Sequence, residues 1–247
     1  MAWALDLDGV VWRGTDGVPG SAEAVRLLQE SGERVLFVTN NSGRRVVDTV
    51  QKLAGLGIDA MGGVVTSGMA AARLVAKSER VLGMCGPGCR EELEARGAVM
   101  VDAGPADTVV VGFHEDFDYQ GLTAGMRAVL GGARILATND DVSFPSQDGL
   151  RPGAGSLLAA LVAATGATPE IAGKPYGPMC DLVRELAGEE GVMVGDRPDT
   201  DGRFAQAMGW RWSLVLSGLI GSDDLPVDPS PDTVHDDLLG AVTEHLG

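Results

Sequence analysis

A chain of 247 residues is long enough to bury a sizeable core, as one large α/β domain or as a core with a second module. Its formal net charge of -16 and sequence pI near 4.4 make the average surface repel phosphate backbones and anionic lipid headgroups, which argues against nucleic acid and membranes as partners. Three cysteines form no even framework, no secretory leader is expected, and the apolar run 157–164 is far shorter than the roughly 20 residues of a membrane span. A reducing cytoplasm is the expected compartment.

In chain order, short runs rich in Val, Leu and Ile predict strands at 2–7, 34–39, 64–66, 80–84, 98–101, 108–112, 134–137, 192–195 and 213–216. Helix-period segments lie between them, the pattern of a parallel βαβ sheet. Ser21 is the expected N-cap of a helix over 22–30, with Ser31-Gly32 as its stop. A helix is expected from about Arg44, where Ser42 can cap it, and another over 155–164. Cys85 and Cys89 have no second pair or spaced His for zinc, so they read as small apolar side chains in a Gly/Pro turn. The four tryptophans flank predicted strands and read as core, while His114, His235 and His245 fit no motif and are expected at the surface.

Four places carry chemistry. The first strand ends in Asp6-Leu7-Asp8-Gly9, two carboxylates where an apolar strand meets a glycine turn, and strand ends are the ligand edge of an open α/β sheet. One acid can attack phosphorus while the other handles protons, although Asp-x-Asp alone also fits a solvated strand end. The second strand ends in Thr39-Asn40-Asn41-Ser42, whose short side chains and backbone N–H groups can hold phosphoryl oxygens or simply cap a helix. Further on come Lys174 in Gly173-Lys174-Pro175, and then Asp196 with Asp201 after the strand at 192–195. An acidic protein that handles an anionic substrate needs a local reversal of sign, which one placed lysine and an oxygen-liganded divalent cation would supply.

Taken in this order, Asp6-Leu7-Asp8-Gly9-Val10, Thr39-Asn40-Asn41-Ser42, Gly173-Lys174-Pro175 and Gly195-Asp196-Arg197 with Thr200-Asp201 resemble the haloacid dehalogenase superfamily of phosphohydrolases. The Thr-Asn-Asn-Ser form and the long insert resemble the subgroup with a large α/β cap, which includes p-nitrophenyl, phosphoglycolate, glycerol-phosphate and pyridoxal phosphatases. The resemblance implies a Rossmann-like parallel-sheet core over 1–77 and 169–247 with an inserted cap over 78–168. It implies Asp6 as the nucleophile that becomes an aspartyl phosphate and Asp8 as the acid that protonates the leaving group and then activates water. Thr39, Asn40 and Asn41 would bind the phosphoryl group, with Lys174 neutralising charge. Mg2+ would sit on Asp6, the Asp8 backbone carbonyl and Asp196, with Asp201 ordering bound water, while Asp199 matches no ligand position and is expected to be exposed. The loop 138–145 would shape the leaving-group pocket through Asn139 and Phe144, and two copies could pair through the cap. The implied activity is hydrolysis of a small organic phosphate ester. A phosphotransferase or mutase is the alternative within enzymes, and a non-catalytic phosphate-metabolite binding protein the alternative outside them; Val10, the late insert and the presence of both Asp6 and Asp8 favour hydrolysis.

Overall fold

A computed structural model describes residues 1–146 and 149–247 and divides them into two compact units, 1–39, 47–65 and 174–247 in the first, and 40–46 and 66–173 in the second. In the first unit the chain runs β1 (Ala2–Leu5), the short hairpin strands β2 (Trp12–Arg13) and β3 (Asp16–Gly17), α1 (Ser21–Glu30), β4 (Arg34–Thr39), α2 (Val46–Gly55) and β5 (Val64–Thr66). The second unit holds α3 (Ser67–Ala72), β6 (Arg80–Met84), α4 (Pro87–Ala95), β7 (Val99–Val101), β8 (Thr108–Val111), α5 (Tyr119–Leu130), β9 (Arg134–Ala137), β10 (Ser143–Ser146), β11 (Gly149–Pro152), α6 (Ala154–Thr165) and β12 (Pro169–Ile171). The chain returns to the first unit with α7 (Gly177–Ala187), β13 (Gly191–Gly195), a π-helical turn (Pro198–Gly202), α8 (Arg203–Met208), β14 (Arg211–Val215), β15 (Thr233–His235) and α9 (Leu238–Leu246).

The first unit is built on a six-stranded sheet in the order β15-β14-β13-β1-β4-β5. β1 pairs parallel with both β13 and β4, and β14 parallel with β13 and β15. Every residue of β1 and β13 is buried, the near-continuous apolar run expected of a parallel sheet covered on both faces. From β1 the chain builds outward through β4 in one direction and, later, from β13 in the other, so a topological switch point lies at the carboxyl ends of β1 and β13. The second unit has a five-stranded sheet, β12-β9-β8-β6-β7, packed through Leu82, Val109, Val111 and Ile135 against Leu158 and Leu161 of α6.

Several expectations shift in detail. The strand predicted at 192–195 starts one residue earlier, and that at 213–216 lies at Arg211–Val215. Ser21 is the first helical residue of α1, not its cap, and its hydroxyl donates to the Val11 carbonyl. Ser42 donates to Thr138 Oγ1 at 2.9 Å and α2 begins only at Val46. Part of the expected loop 138–145 is strand: β10 pairs antiparallel with β11, a hairpin that Pro145 and Pro152 disguise because proline removes a ladder donor. The expected limits at 77 and 168 differ from the unit limits because α3 packs on α4 and β12 joins β9, both within the second unit. The tryptophans are buried, as are Cys85, Cys89 and Cys180, whereas the three histidines are half-buried instead of fully at the surface, His245 packing edge-on to Trp3. No helix among the described residues is long and apolar enough to cross a membrane.

Leu161 is fully buried in the core of the second unit. Leu161→Ala is expected to cost about 2–5 kcal/mol, the range for deleting a buried leucine side chain, read as a lower denaturation midpoint of that unit.

Candidate active site

The switch point gathers the first unit's acidic residues by strand geometry. Asp6 is the first residue beyond Leu5 of β1, and its N–H donates to the Val194 carbonyl of β13, which keeps it in the sheet's register. Asp196 follows Gly195 at the end of that neighbouring strand. The π-helical turn then returns the chain so that Asp201 lies beside Gly195, and a Cβ added at Gly195 would meet the Asp201 carboxyl at 2.3 Å. Oxygens of Asp6, Asp196 and Asp201 all lie within 4.8 Å of one another, and all three residues are buried.

Lys174, only 1% exposed, reaches into this cluster with its ammonium 2.7 Å from Asp6 Oδ1 and 2.7 Å from Asp201 Oδ1. Burial works against its charge, but Asp201 and Asp6 outweigh that and hold its pKa above the ordinary lysine value. Asp201 Oδ2 accepts the Arg197 N–H at 3.1 Å, so this carboxylate is fixed on both sides.

Three carboxylates against one ammonium leave an excess of negative charge in a buried place. Burial, together with Asp201 and Asp196, raises the Asp6 carboxyl well above the usual carboxylate range despite its ion pair with Lys174. Burial first, and Asp201 second, push Asp196 up to about 7, while the Leu219 N–H bond at 2.7 Å to Oδ2 pulls the other way. The other oxygen, Asp196 Oδ1, is buried without a hydrogen-bond partner. An orphaned carboxylate oxygen among hard anionic donors fits a divalent cation such as Mg2+, which prefers oxygen ligands and would cancel the excess charge.

The remaining expected residues are placed as follows. Asp8 is exposed, and its Oδ1 accepts the Trp12 indole N–H at 2.8 Å. Thr39 is buried at the end of β4. In the second unit the Asn40 carbonyl accepts from Ser67 Oγ at 2.6 Å and Asn139 Nδ2 at 2.7 Å, while its amide donates to Asp141 Oδ2 at 3.1 Å. Asn41 Oδ1 accepts the Gly43 N–H. Asn139 is 4% exposed and its amide oxygen accepts the Asp141 N–H, so it braces the Asn40 backbone from within. Phe144 meets Phe113 edge-on at 4.9 Å between centroids. Asp199 is exposed and paired with Arg197, as expected.

Sequence reading missed the loop after β14. Ser217 Oγ donates to the Gly9 carbonyl at 2.7 Å, and the Leu219 N–H supports Asp196. Gly218 is required there, since its Cβ would fall 2.0 Å from Asp196 Oδ2. The available signal was Ser-Gly directly after an apolar strand run, the same strand-end pattern that exposes the other motifs.

The haloacid dehalogenase-like hydrolase family profile matches residues 3–99, and a HAD-hydrolase-like profile matches residues 171–241. The sequence is 33% identical over 250 residues to an acid sugar phosphatase of Staphylococcus haemolyticus, covering 98% of this chain and 95% of that one. The structure is similar to a p-nitrophenyl phosphatase from Archaeoglobus fulgidus, with a TM-score of 0.92, 30% identity and 98% of each chain covered. It is also similar to a glycerol phosphate phosphatase from Mycobacterium tuberculosis in complex with magnesium, with a TM-score of 0.88, 33% identity, and coverage of 96% of this chain and 74% of that one. The chain belongs to the haloacid dehalogenase-like hydrolase family.

Because the folded pKa of Asp196, about 7, lies above its ordinary 3.8, the metal-free protein takes up a proton on folding between those values. That stabilisation is complete below the unfolded value and is lost as pH rises through about 7. In chelator the melting temperature is therefore expected to fall between pH 5.5 and pH 8, and added Mg2+ to raise it more at pH 8. Asp196→Asn should flatten both trends, as thermal melts across that range can check.

Proposed function

We propose that this protein is a Mg2+-dependent phosphatase that hydrolyses a small organic phosphate monoester through an aspartyl phosphate on Asp6. The observation that carries the reading is the buried cluster of Asp6, Asp196 and Asp201 around one buried ammonium, a site whose charge balance favours a divalent cation, which together with Lys174 would offset the charge of a phosphoryl group. Phosphoryl transfer asks mainly for positioning and charge neutralisation, which such a cluster provides.

In this reading a carboxylate oxygen of Asp6 bonds to phosphorus as the ester P–O bond breaks, and Asp8 gives its proton to the departing alkoxide. Asp8 then takes a proton from the water that hydrolyses the aspartyl phosphate, which returns both acids to their starting states. Lys174 neutralises charge between Asp6 and the phosphoryl oxygens and holds Asp201 in place. Thr39 and the Asn40-Asn41 segment bind the phosphoryl group. The Asp6 carboxylate, the Asp8 carbonyl and the Asp196 carboxylate would hold Mg2+, which when bound supplies neutralisation of the charge on the phosphoryl oxygens.

We assign the chemistry of Asp6, Asp8 and Lys174 to the first unit and leaving-group recognition to the second, within which half-buried Phe144 packs edge-on against Phe113. Asn139, turned inward, supports the Asn40 segment in this scheme and makes no contact with the ester. The partner required is a small phosphorylated metabolite; pairing of two copies through the second unit is a further expectation of the resemblance. Three buried free cysteines suit a reducing cytoplasm.

Asp6→Asn should reduce release of inorganic phosphate from every ester to background while the melting temperature is retained, because an amide cannot form the acyl phosphate. Near-normal turnover would remove Asp6 from the nucleophile's place. Phe144→His is expected to shift relative kcat/KM across a panel of glycerol, glycolate, sugar, nucleotide and pyridoxal phosphates by about 1–3 kcal/mol. A common factor for all of them would show that Phe144 does not select the ester.

A further inference from the structure

Asp8 differs from the other acids of the site in being exposed, with no buried ammonium to orient it. What touches it instead is the hairpin that follows. The Trp12 indole N–H lies 2.8 Å from Asp8 Oδ1, and an indole N–H can only donate. Oδ1 is therefore the accepting oxygen whether or not the carboxyl is protonated, and a proton on Asp8 belongs on Oδ2.

Trp12 is itself held from several sides. It is 3% exposed, its N–H donates to the Leu7 carbonyl, and its own carbonyl accepts the Gly9 N–H at 2.8 Å, so the ring is tied to the turn that carries Asp8. The Lys52 ammonium on α2 lies 3.7 Å from the ring centroid and donates to the Gly14 carbonyl at 2.7 Å at the hairpin's tip. A cation over the ring face both clamps the indole and draws electron density from it, which makes the N–H a better donor. On the other side Arg13 Nε donates to the Ser217 carbonyl, in the loop whose Ser217 hydroxyl binds the Gly9 carbonyl.

We propose that Trp12 is the positioning residue of the Asp8 acid: its indole N–H fixes Oδ1, so that Oδ2 carries the proton delivered to the departing alkoxide. This rests on the assignment of Asp8 as that acid. As the ester P–O bond breaks, the Oδ2 proton passes to the leaving oxygen, and the resulting carboxylate keeps its Oδ1 bond to Trp12. A fixed carboxyl loses no orientational freedom at the moment of transfer, which a freely rotating exposed one would.

Leaving-group chemistry separates this role from packing. An alkyl phosphate expels an alkoxide and needs the proton, whereas nitrophenolate departs without one. The experiment measures kcat/KM for glycerol phosphate and p-nitrophenyl phosphate with the Mg2+-loaded wild type, Trp12→Phe and Asp8→Asn. This ratio reports the steps through phosphoryl transfer to Asp6. Trp12→Phe is expected to lower kcat/KM for glycerol phosphate about 10- to 100-fold, part of what general acid catalysis contributes, and that for p-nitrophenyl phosphate by less than about threefold. Asp8→Asn should show the same asymmetry more strongly. If Asp8→Asn discriminates between the esters while Trp12→Phe lowers both by one factor or neither, Trp12 only packs and the proposal is overturned. If Asp8→Asn does not discriminate, the assignment of Asp8 fails, and this proposal with it. Should Trp12→Phe not fold, benzothienylalanine at position 12 replaces the N–H by sulfur in a ring of nearly the same shape, and the same two outcomes decide.

Discussion

Burying an ammonium is tolerated only where opposite charges and hydrogen bonds replace the water it gives up. Lys174 meets that condition through Asp6, 168 residues away in sequence, and Asp201, 27 residues away. Those two bonds require β1, the segment entering α7 and the π-helical turn after β13 to meet at one place. Asp6 must leave β1 in register with Val194, Gly195 must lack a side chain where Asp201 approaches, and Gly218 must make room for Asp196. The parallel sheet is the scaffold that satisfies these conditions together, because it ends adjacent strands at the same edge.

The same ion pairs leave the cluster short of positive charge. Burial, with the repulsion of neighbouring carboxylates that one ammonium does not offset, raises Asp6 and Asp196 above the usual carboxylate range, and Asp196 keeps one oxygen without a hydrogen-bond partner. Such a place costs stability unless a cation balances it, and that cost is what makes it a receptor for a divalent cation. Metal affinity and the cost of gathering these carboxylates are here two descriptions of one electrostatic imbalance.

Two acids two residues apart therefore occupy opposite environments. Asp6 lies in the cluster, where it pairs with Lys174, whereas Asp8, at the turn beyond the strand, remains exposed and is met by Trp12. β1 ends at Leu5 and the chain turns at Gly9, so the two carboxyls are separated by this departure from the strand, since two residues apart on a regular strand would share one face. The hairpin after Gly9, anchored by Lys52 and Arg13, converts an otherwise free carboxyl into an oriented one.

The sequence by itself determined the alternating α/β plan, with strands such as Arg34–Thr39, Val64–Thr66, Arg80–Met84 and Arg134–Ala137 matching to the residue, because buried parallel strands are short β-branched runs. It also marked Asp6, Asp8, Thr39, Lys174 and Asp196, since polar residues placed directly after such runs, or in Gly/Pro turns, stand out against the core. Tertiary structure alone decided the rest. Strands Pro169–Ile171, Ser143–Ser146 and Gly149–Pro152 carry prolines or little apolar alternation, so their place is set by pairing, the first with β9 and the other two with each other. Asn139 braces the Asn40 backbone, a contact between positions 99 residues apart that the linear pattern does not show. The place of Asp201 against Lys174, the support of Asp196 by Leu219 and the lean of Trp12 on Asp8 depend on distances and directions in space. A linear pattern records which groups are available, and only the folded chain fixes which of them meet.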